Sequence, residues 1–127
     1  MTTALIFKEE CYQLIGLCMK VHSKLGRGFK EIVYKDALAL ELKAAGIVYE
    51  REKSFSILYE NVLLKHTFDA DFLVFASIVI EVKATSFTHP DAFSQTLNYL
   101  KASNIQLGIL VNFGTQKLEF HRIICTY

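Results

Sequence analysis

The chain is short of the residues that build special frameworks. Its three cysteines, Cys11, Cys18 and Cys125, are odd in number and include no CxxC pair, which argues against a disulfide framework or a four-cysteine zinc site. Cys11 and Cys18 lie two helical turns apart and read as small core residues. There is one proline, Pro90, and no internal repeat, low-complexity stretch or linker interrupts the sequence. Charge of one sign is lacking too. Lys and Arg number 14 against 13 Asp and Glu, a net charge of +1, which excludes a polycation holding nucleic acid by bulk charge. A local basic groove stays open. Long apolar runs are missing as well. The longest, residues 72–80, contains Ser77, is bounded by Asp71 and Glu81, and is too short to span a bilayer. Residues 1–7 carry no basic segment and too short an apolar run for a secretory leader. These absences point to a soluble, reduced, cytoplasmic protein.

What is present suits a packed core. A hydrophobic content of 52% with 21% charged residues excludes disorder, and 127 residues fit one domain, 1–127. Residues 8–25 carry Cys11, Leu14, Ile15, Cys18, His22 and Leu25 at helical spacing, with Gly26 as the stop. A second helix is expected over 29–45, ended by Gly46. Ile32, Val33, Ala37, Leu38, Leu40, Leu42 and Ala45 make it apolar on most faces, so it is expected to be well buried. The pattern then shifts to period two, with strands expected over 47–59, 62–75 and 78–84. Residues 89–103 return to helix, with Pro90 in the first turn, and 105–112 and 117–124 read as two more strands. The order α-α-β-β-β-α-β-β describes an α/β fold. A meander followed by a helical crossover gives a central mixed sheet flanked by helices.

The informative chemistry lies in Asp71, Glu81 and Lys83. Side chains alternate along a strand, so Glu81 and Lys83 share a face with Val79, while Ile78, Ile80 and Val82 line the other. Two charges on a strand this apolar need partners or a metal. Where Asp71 points depends on register. A two-residue turn at 76–77 pairs it with Val82 and sends it to the opposite face, whereas a three-residue loop or a bulge places it opposite Glu81. A metal site needs the second arrangement, so a bulged or three-residue turn is expected near 75–77. Two such carboxylates would offer hard oxygen ligands to Mg²⁺ or Mn²⁺, and Lys83 could offset charge at a phosphate. An ordinary cross-strand ion pair would account for the same residues.

Other features surround this trio. Glu31 and Tyr34 are three apart at the start of the second helix, where an acid also favours the macrodipole. Gln95 and Tyr99 are four apart on the third helix, which a solvated Gln beside a half-buried Tyr would explain equally. His22 sits on the apolar stripe of the first helix, as a core or near-site histidine. Residues 108–114 (GILVNFG) read as a strand ending in a polar turn.

Taken in order, the GxxExxY segment at 28–34, the D…ExK of Asp71, Glu81 and Lys83, the QxxxYL at 95–100 and the GxLxNFG at 108–114 resemble the GxxExxY protein family. That family is a branch of the PD-(D/E)XK nuclease superfamily, and the resemblance runs from about His22 to Arg122. It implies a restriction-endonuclease-like core and a nuclease-like phosphodiesterase that hydrolyses nucleic acid with metal-activated water. By motif, Asp71, Glu81 and Glu31 would hold Mg²⁺ or Mn²⁺, Lys83 would be the catalytic lysine, and Gln95 and Tyr99 would lie beside the site. The sequence departs from the pattern at Arg27, where many members carry proline, and at Ala70, where the superfamily's name has proline.

Lys20, Lys24, Arg27, Lys30 and Lys35 lie within sixteen residues and flank the loop that delivers Glu31. They are the candidate nucleic-acid surface, with DNA expected ahead of RNA, although a solvated basic helix end would look the same. A homodimer through the last strand is a further expectation, since cutting two strands takes two sites. Two readings compete with the nuclease. One is a catalytically silent nucleic-acid- or protein-binding module on the nuclease fold, and the other is a structural domain with its charges locked in salt bridges.

Overall fold

The protein, seen in a computed structural model that describes residues 6–126, has its helices on both faces of one five-stranded sheet. Most of residues 1–7, read above as unsuited to a leader, lie outside the described residues. Helix α1 spans Lys8–Leu25 and ends at Gly26, whose φ of 65° lies in the left-handed region that glycine enters without strain. Helix α2 spans Glu31–Ala44. Strand β1 (Tyr49–Tyr59) pairs antiparallel with β2 (Val62–Val74) through a turn at Glu60 and Asn61, both at positive φ as a two-residue hairpin requires. Strand β3 (Ile78–Lys83) follows. Helix α3 (Pro90–Ser103) then crosses over, so that β4 (Leu107–Asn112) lies parallel to β3, and β5 (Glu119–Ile124) closes the sheet antiparallel to β4. The sheet order is β1-β2-β3-β4-β5, and the order of elements along the chain and the mixed sheet are those the sequence pattern predicts.

The core lies mainly between the sheet and the α1–α2 pair. Cys11, Leu14, Cys18 and Val21 of α1 and Tyr34, Leu38 and Leu42 of α2 pack on Phe72, Val74, Ile78, Ile80, Val82, Ile109 and Val111. The cysteines are buried and unpaired, and burial pushes the Cys18 thiol up to about 12. Helix α2 corrects one expectation. It is not buried all round, because Ile32 and Leu40 are 52% and 70% exposed and only the stripe Tyr34, Leu38 and Leu42, with Lys35, turns inward. A helix resting on one layer has one apolar contact, whatever its composition. On the other face of the sheet, α3 lays Leu100 over Ala70, Leu73 and Val79. It approaches closely at Gly108, where an added Cβ would stand 3.0 Å from Thr96 Cγ2. Among the described residues no helix is long and apolar enough to cross a membrane.

One local feature positions everything that follows. Strict alternation would place Ala70 and Phe72 on one face of the sheet. Instead Ala70 packs on the α3 side and Phe72 on the α1–α2 side, so β2 turns over at Asp71. Strand β1 does the same at Glu52, which stands opposite Asp71 between the pairs Arg51↔Phe72 and Lys53↔Ala70 and has φ 55°. Tyr49 packs with the first cluster and Phe55 with the second.

Candidate active site

The turn between β2 and β3 holds three residues, 75–77, closing the pair Val74↔Ile78. Phe75 and Ala76 take positive φ, and Ser77 N donates to Val74 O at 3.0 Å. This is the longer of the two alternatives weighed from sequence. The ladder Val74↔Ile78, Leu73↔Val79, Phe72↔Ile80 therefore carries on to set Asp71 opposite Glu81.

At that point side chains replace backbone in the ladder. Asp71 N donates to Glu81 Oε2 at 2.9 Å, and Val82 N donates to Asp71 Oδ2 at 2.7 Å. Each carboxylate thus satisfies an amide that the strand pairing leaves open, and the two strands part beyond them. Both residues are buried, at 9% and 3% exposure. Burial first, and the charge of Asp71 second, raise the Glu81 carboxyl to about 8. Such a shift marks two acids sharing a site without enough positive charge to ionise both freely.

The other predicted residues converge unevenly. Lys83, on the same face as Glu81, donates to Gln95 Oε1 of α3 at 3.0 Å. Tyr99, one turn further along α3, sets its ring edge-on to Phe68 with centroids 5.2 Å apart. Burial, then the charges of Glu81 and Asp71, push its phenol up to about 12, so it stays a neutral donor at physiological pH. Glu31 heads α2, and burial and Asp71 raise its carboxyl above the usual range while Lys83 and Lys35 draw it down. Tyr34 belongs to the framework instead. Its hydroxyl donates to Gly26 O at 2.6 Å and accepts from Phe29 N at 3.2 Å, and its ring stacks on Phe113 at 4.8 Å. It ties down the loop that delivers Glu31.

The basic segment divides. Lys24, Arg27 and Lys30 are exposed around that loop, and Lys20 is exposed but paired with Glu41 at 2.9 Å. Lys35 departs from the expectation of a surface contact. It is 6% exposed, and its Nζ lies 2.9 Å from Asp71 Oδ1 and 2.7 Å from Glu52 Oε1. Burial works against its charge, but those two hydrogen-bonded carboxylates outweigh it and hold the ammonium above its usual pKa. Sequence reasoning set Lys35 on the nucleic-acid surface rather than beside the acids, and missed Glu52 altogether. The signal for Lys35 was its position four residues after Glu31, on the same helix face. Glu52 gave none, being one acid among several along an alternating strand.

The remaining motif residues are structural. Asn112 accepts from Thr85 N at 3.1 Å and Gly114 N at 2.9 Å and donates to Thr85 and Thr88 hydroxyls, pinning the segment after Lys83. Gly114 presses against the Thr85 backbone where a Cβ has no room. The ring of His22 is satisfied by Thr115 O at 3.0 Å.

Among the described residues no three His, Cys, Asp or Glu side chains stand together as a ready cage. Two adjoining carboxylates do, and they suit a hard cation with oxygen ligands. Glu31, Glu52, Asp71 and Glu81 against Lys35 and Lys83 leave two negative charges over when all are ionised. The residues fit such a cation, which Asp71 and Glu81 would hold.

Comparison with known proteins agrees with the fold. No curated protein matches the chain. Among solved structures, SSO0001 is similar with a TM-score of 0.60 and 24% identity, covering 75% of this chain and 50% of its own. This chain thus spans half the length of that protein. An alkaline exonuclease, LHK-Exo from Laribacter hongkongensis, is similar with a TM-score of 0.55 and 12% identity, covering 99% of this chain and 73% of its own. At these identities the likeness is one of fold. The family model of the PD-(D/E)XK nuclease superfamily matches residues 8–123, nearly the whole chain, and to that superfamily this protein belongs.

Proposed function

We propose that this protein is a divalent-metal-dependent nuclease of the GxxExxY branch, hydrolysing phosphodiester bonds at the place where β2 and β3 part. The observation that carries this reading is the pair of carboxylates that close the ladder, Glu81 accepting from Asp71 N and Asp71 from Val82 N, with Lys83 on the same face as Glu81. A buried Glu81 carboxyl, raised by its burial and by the charge of Asp71 beside it, is poorly suited to a purely structural role. Mg²⁺ or Mn²⁺ held by Asp71 and Glu81, with Glu31 nearby, would supply a Lewis acid for water and a phosphate oxygen. Asp71 and Glu81 would bind and orient. Lys83, steadied by Gln95, would meet the negative charge that builds on the phosphate. Tyr99 would donate a hydrogen bond to the substrate backbone. Lys24, Arg27 and Lys30, with Lys20, would draw that backbone toward the Glu31 loop, in a strongly salt-dependent way. We take DNA as the substrate ahead of RNA, the cytoplasm as the setting, and a pair of copies as the form that cuts both strands.

The test is cleavage of labelled single-stranded, double-stranded, branched and RNA substrates in Mg²⁺ or Mn²⁺. Cleavage that disappears in EDTA and in Asp71→Ala supports the reading and names the substrate. Salt-sensitive binding without turnover on any substrate would transfer the protein to the binding-module reading.

A further inference from the structure

Lys35 joins three elements at one point. It leaves α2 and reaches Asp71 Oδ1 of β2 at 2.9 Å and Glu52 Oε1 and Oε2 of β1 at 2.7 and 3.2 Å. The contact with Asp71 is buried, whereas the Glu52 side chain is 53% exposed. Asp71 Oδ2 is committed to Val82 N, so Lys35 lies on the carboxylate oxygen that the backbone leaves open. Glu52 holds a left-handed backbone with φ 55° inside a strand, directly across from Asp71. A glutamate in that conformation is strained, and strain of this kind persists where the surroundings demand it. Here it brings the Glu52 carboxylate onto the same Lys35 ammonium that bonds Asp71.

Resting on the metal-binding reading above, we propose that Lys35 is a resident counter-cation for Asp71 that a divalent cation must displace, and that Glu52 is the acceptor that keeps the displaced ammonium. In the metal-free protein Lys35 neutralises Asp71 and spares the fold a buried, unpaired carboxylate. When a divalent cation arrives, the ammonium gives up Asp71 and retains Glu52, so it is never left buried without a partner. The pair Lys35–Glu52 thereby sets how much divalent cation the site needs, and it disfavours weakly bound monovalent ions.

The experiment is calorimetric titration with Mn²⁺ alone, without nucleic acid, on the full chain. Loss of Mn²⁺ binding in Asp71→Asn establishes the metal site independently of Lys35. Lys35→Met then binds Mn²⁺ about tenfold tighter, because the competitor is gone. Glu52→Gln binds about threefold weaker, because the ammonium loses its alternative partner. In the Lys35→Met background Glu52→Gln changes affinity by less than about twofold, since Glu52 acts through Lys35. Equal or weaker binding by Lys35→Met overturns the inference, as does a Glu52→Gln effect that is the same with and without Lys35. Glu52 is largely exposed, so Glu52→Gln reports even where Lys35→Met fails to fold, and no weakening in it also overturns the inference. A wild-type protein that binds no Mn²⁺ overturns the inference together with the metal-binding reading on which it rests.

Discussion

Strands β2 and β3 meet at two ends that share neighbours and little else. At the closed end, Val74 and Ile78 flank a three-residue turn, the ladder is made by backbone, and Phe72, Val74, Ile78 and Ile80 are fully buried apolar side chains. At the open end, one pair further on, Asp71 and Glu81 finish the ladder with their own oxygens and Lys35 and Lys83 crowd in. The closed end is what the core needs. The open end costs desolvation of charge that packing does not repay. The difference teaches that one short turn does both jobs. Its length fixes the register, and the register brings the acids face to face at the far end.

The sharpest way to separate the ends is to change one residue in each. Asp71→Ala or Lys83→Ala is expected to lower cleavage by about 10²–10³-fold or more while the chain still folds, measured as kcat alongside circular dichroism. Full activity in both variants would dissolve the distinction. Ile80→Ala, one pair nearer the turn than the acids, is expected to lower unfolding stability by about 2–5 kcal/mol in denaturant titration, with the folded fraction still cutting.

A pH titration sharpens the comparison further. Glu81 is raised from 4.5 to about 8 in the folded chain. Between those values the folded state holds a proton that the unfolded state has released. Metal-free stability from this group is therefore complete below pH 4.5 and falls as pH rises through about 8, the reverse of an ion-paired acid. Glu81→Gln flattens that slope, as thermal melts in EDTA across pH 5–9 would record. The smallest effect belongs to neither end. Lys20→Ala breaks only an exposed pair with Glu41, so stability shifts by less than about 1 kcal/mol, and the salt dependence of nucleic-acid binding becomes shallower by about one unit in log–log slope.

Much of this was legible in the residues. Helix α1, the order of elements and the crossover follow from periodicity and from where glycine and proline fall. The three-residue turn follows from requiring Asp71 and Glu81 on one face, and Lys83 beside Glu81 follows from alternation. The burial of α2 did not follow, because composition shows Ile32 and Leu40 as apolar without saying which face meets the sheet. Tyr34 decides that, through its bond to Gly26 and its stack on Phe113, a residue far away in sequence. The same rotation turns Lys35 inward, where a count of basic residues had grouped it with exposed neighbours. Glu52 enters only because β1 turns over opposite Asp71, a backbone event that no alternation pattern encodes. Superfamily membership is shown by the match over residues 8–123, while the GxxExxY branch rests on motif order alone.

The central claim is that Asp71 and Glu81 together hold a divalent cation. Anomalous diffraction from crystals grown with Mn²⁺ addresses it directly. The account predicts one strong peak within coordinating reach of both carboxylates, with the Lys35 ammonium withdrawn toward Glu52. Saturating Mn²⁺ that leaves Lys35 on Asp71 and gives no peak between the two acids would contradict it.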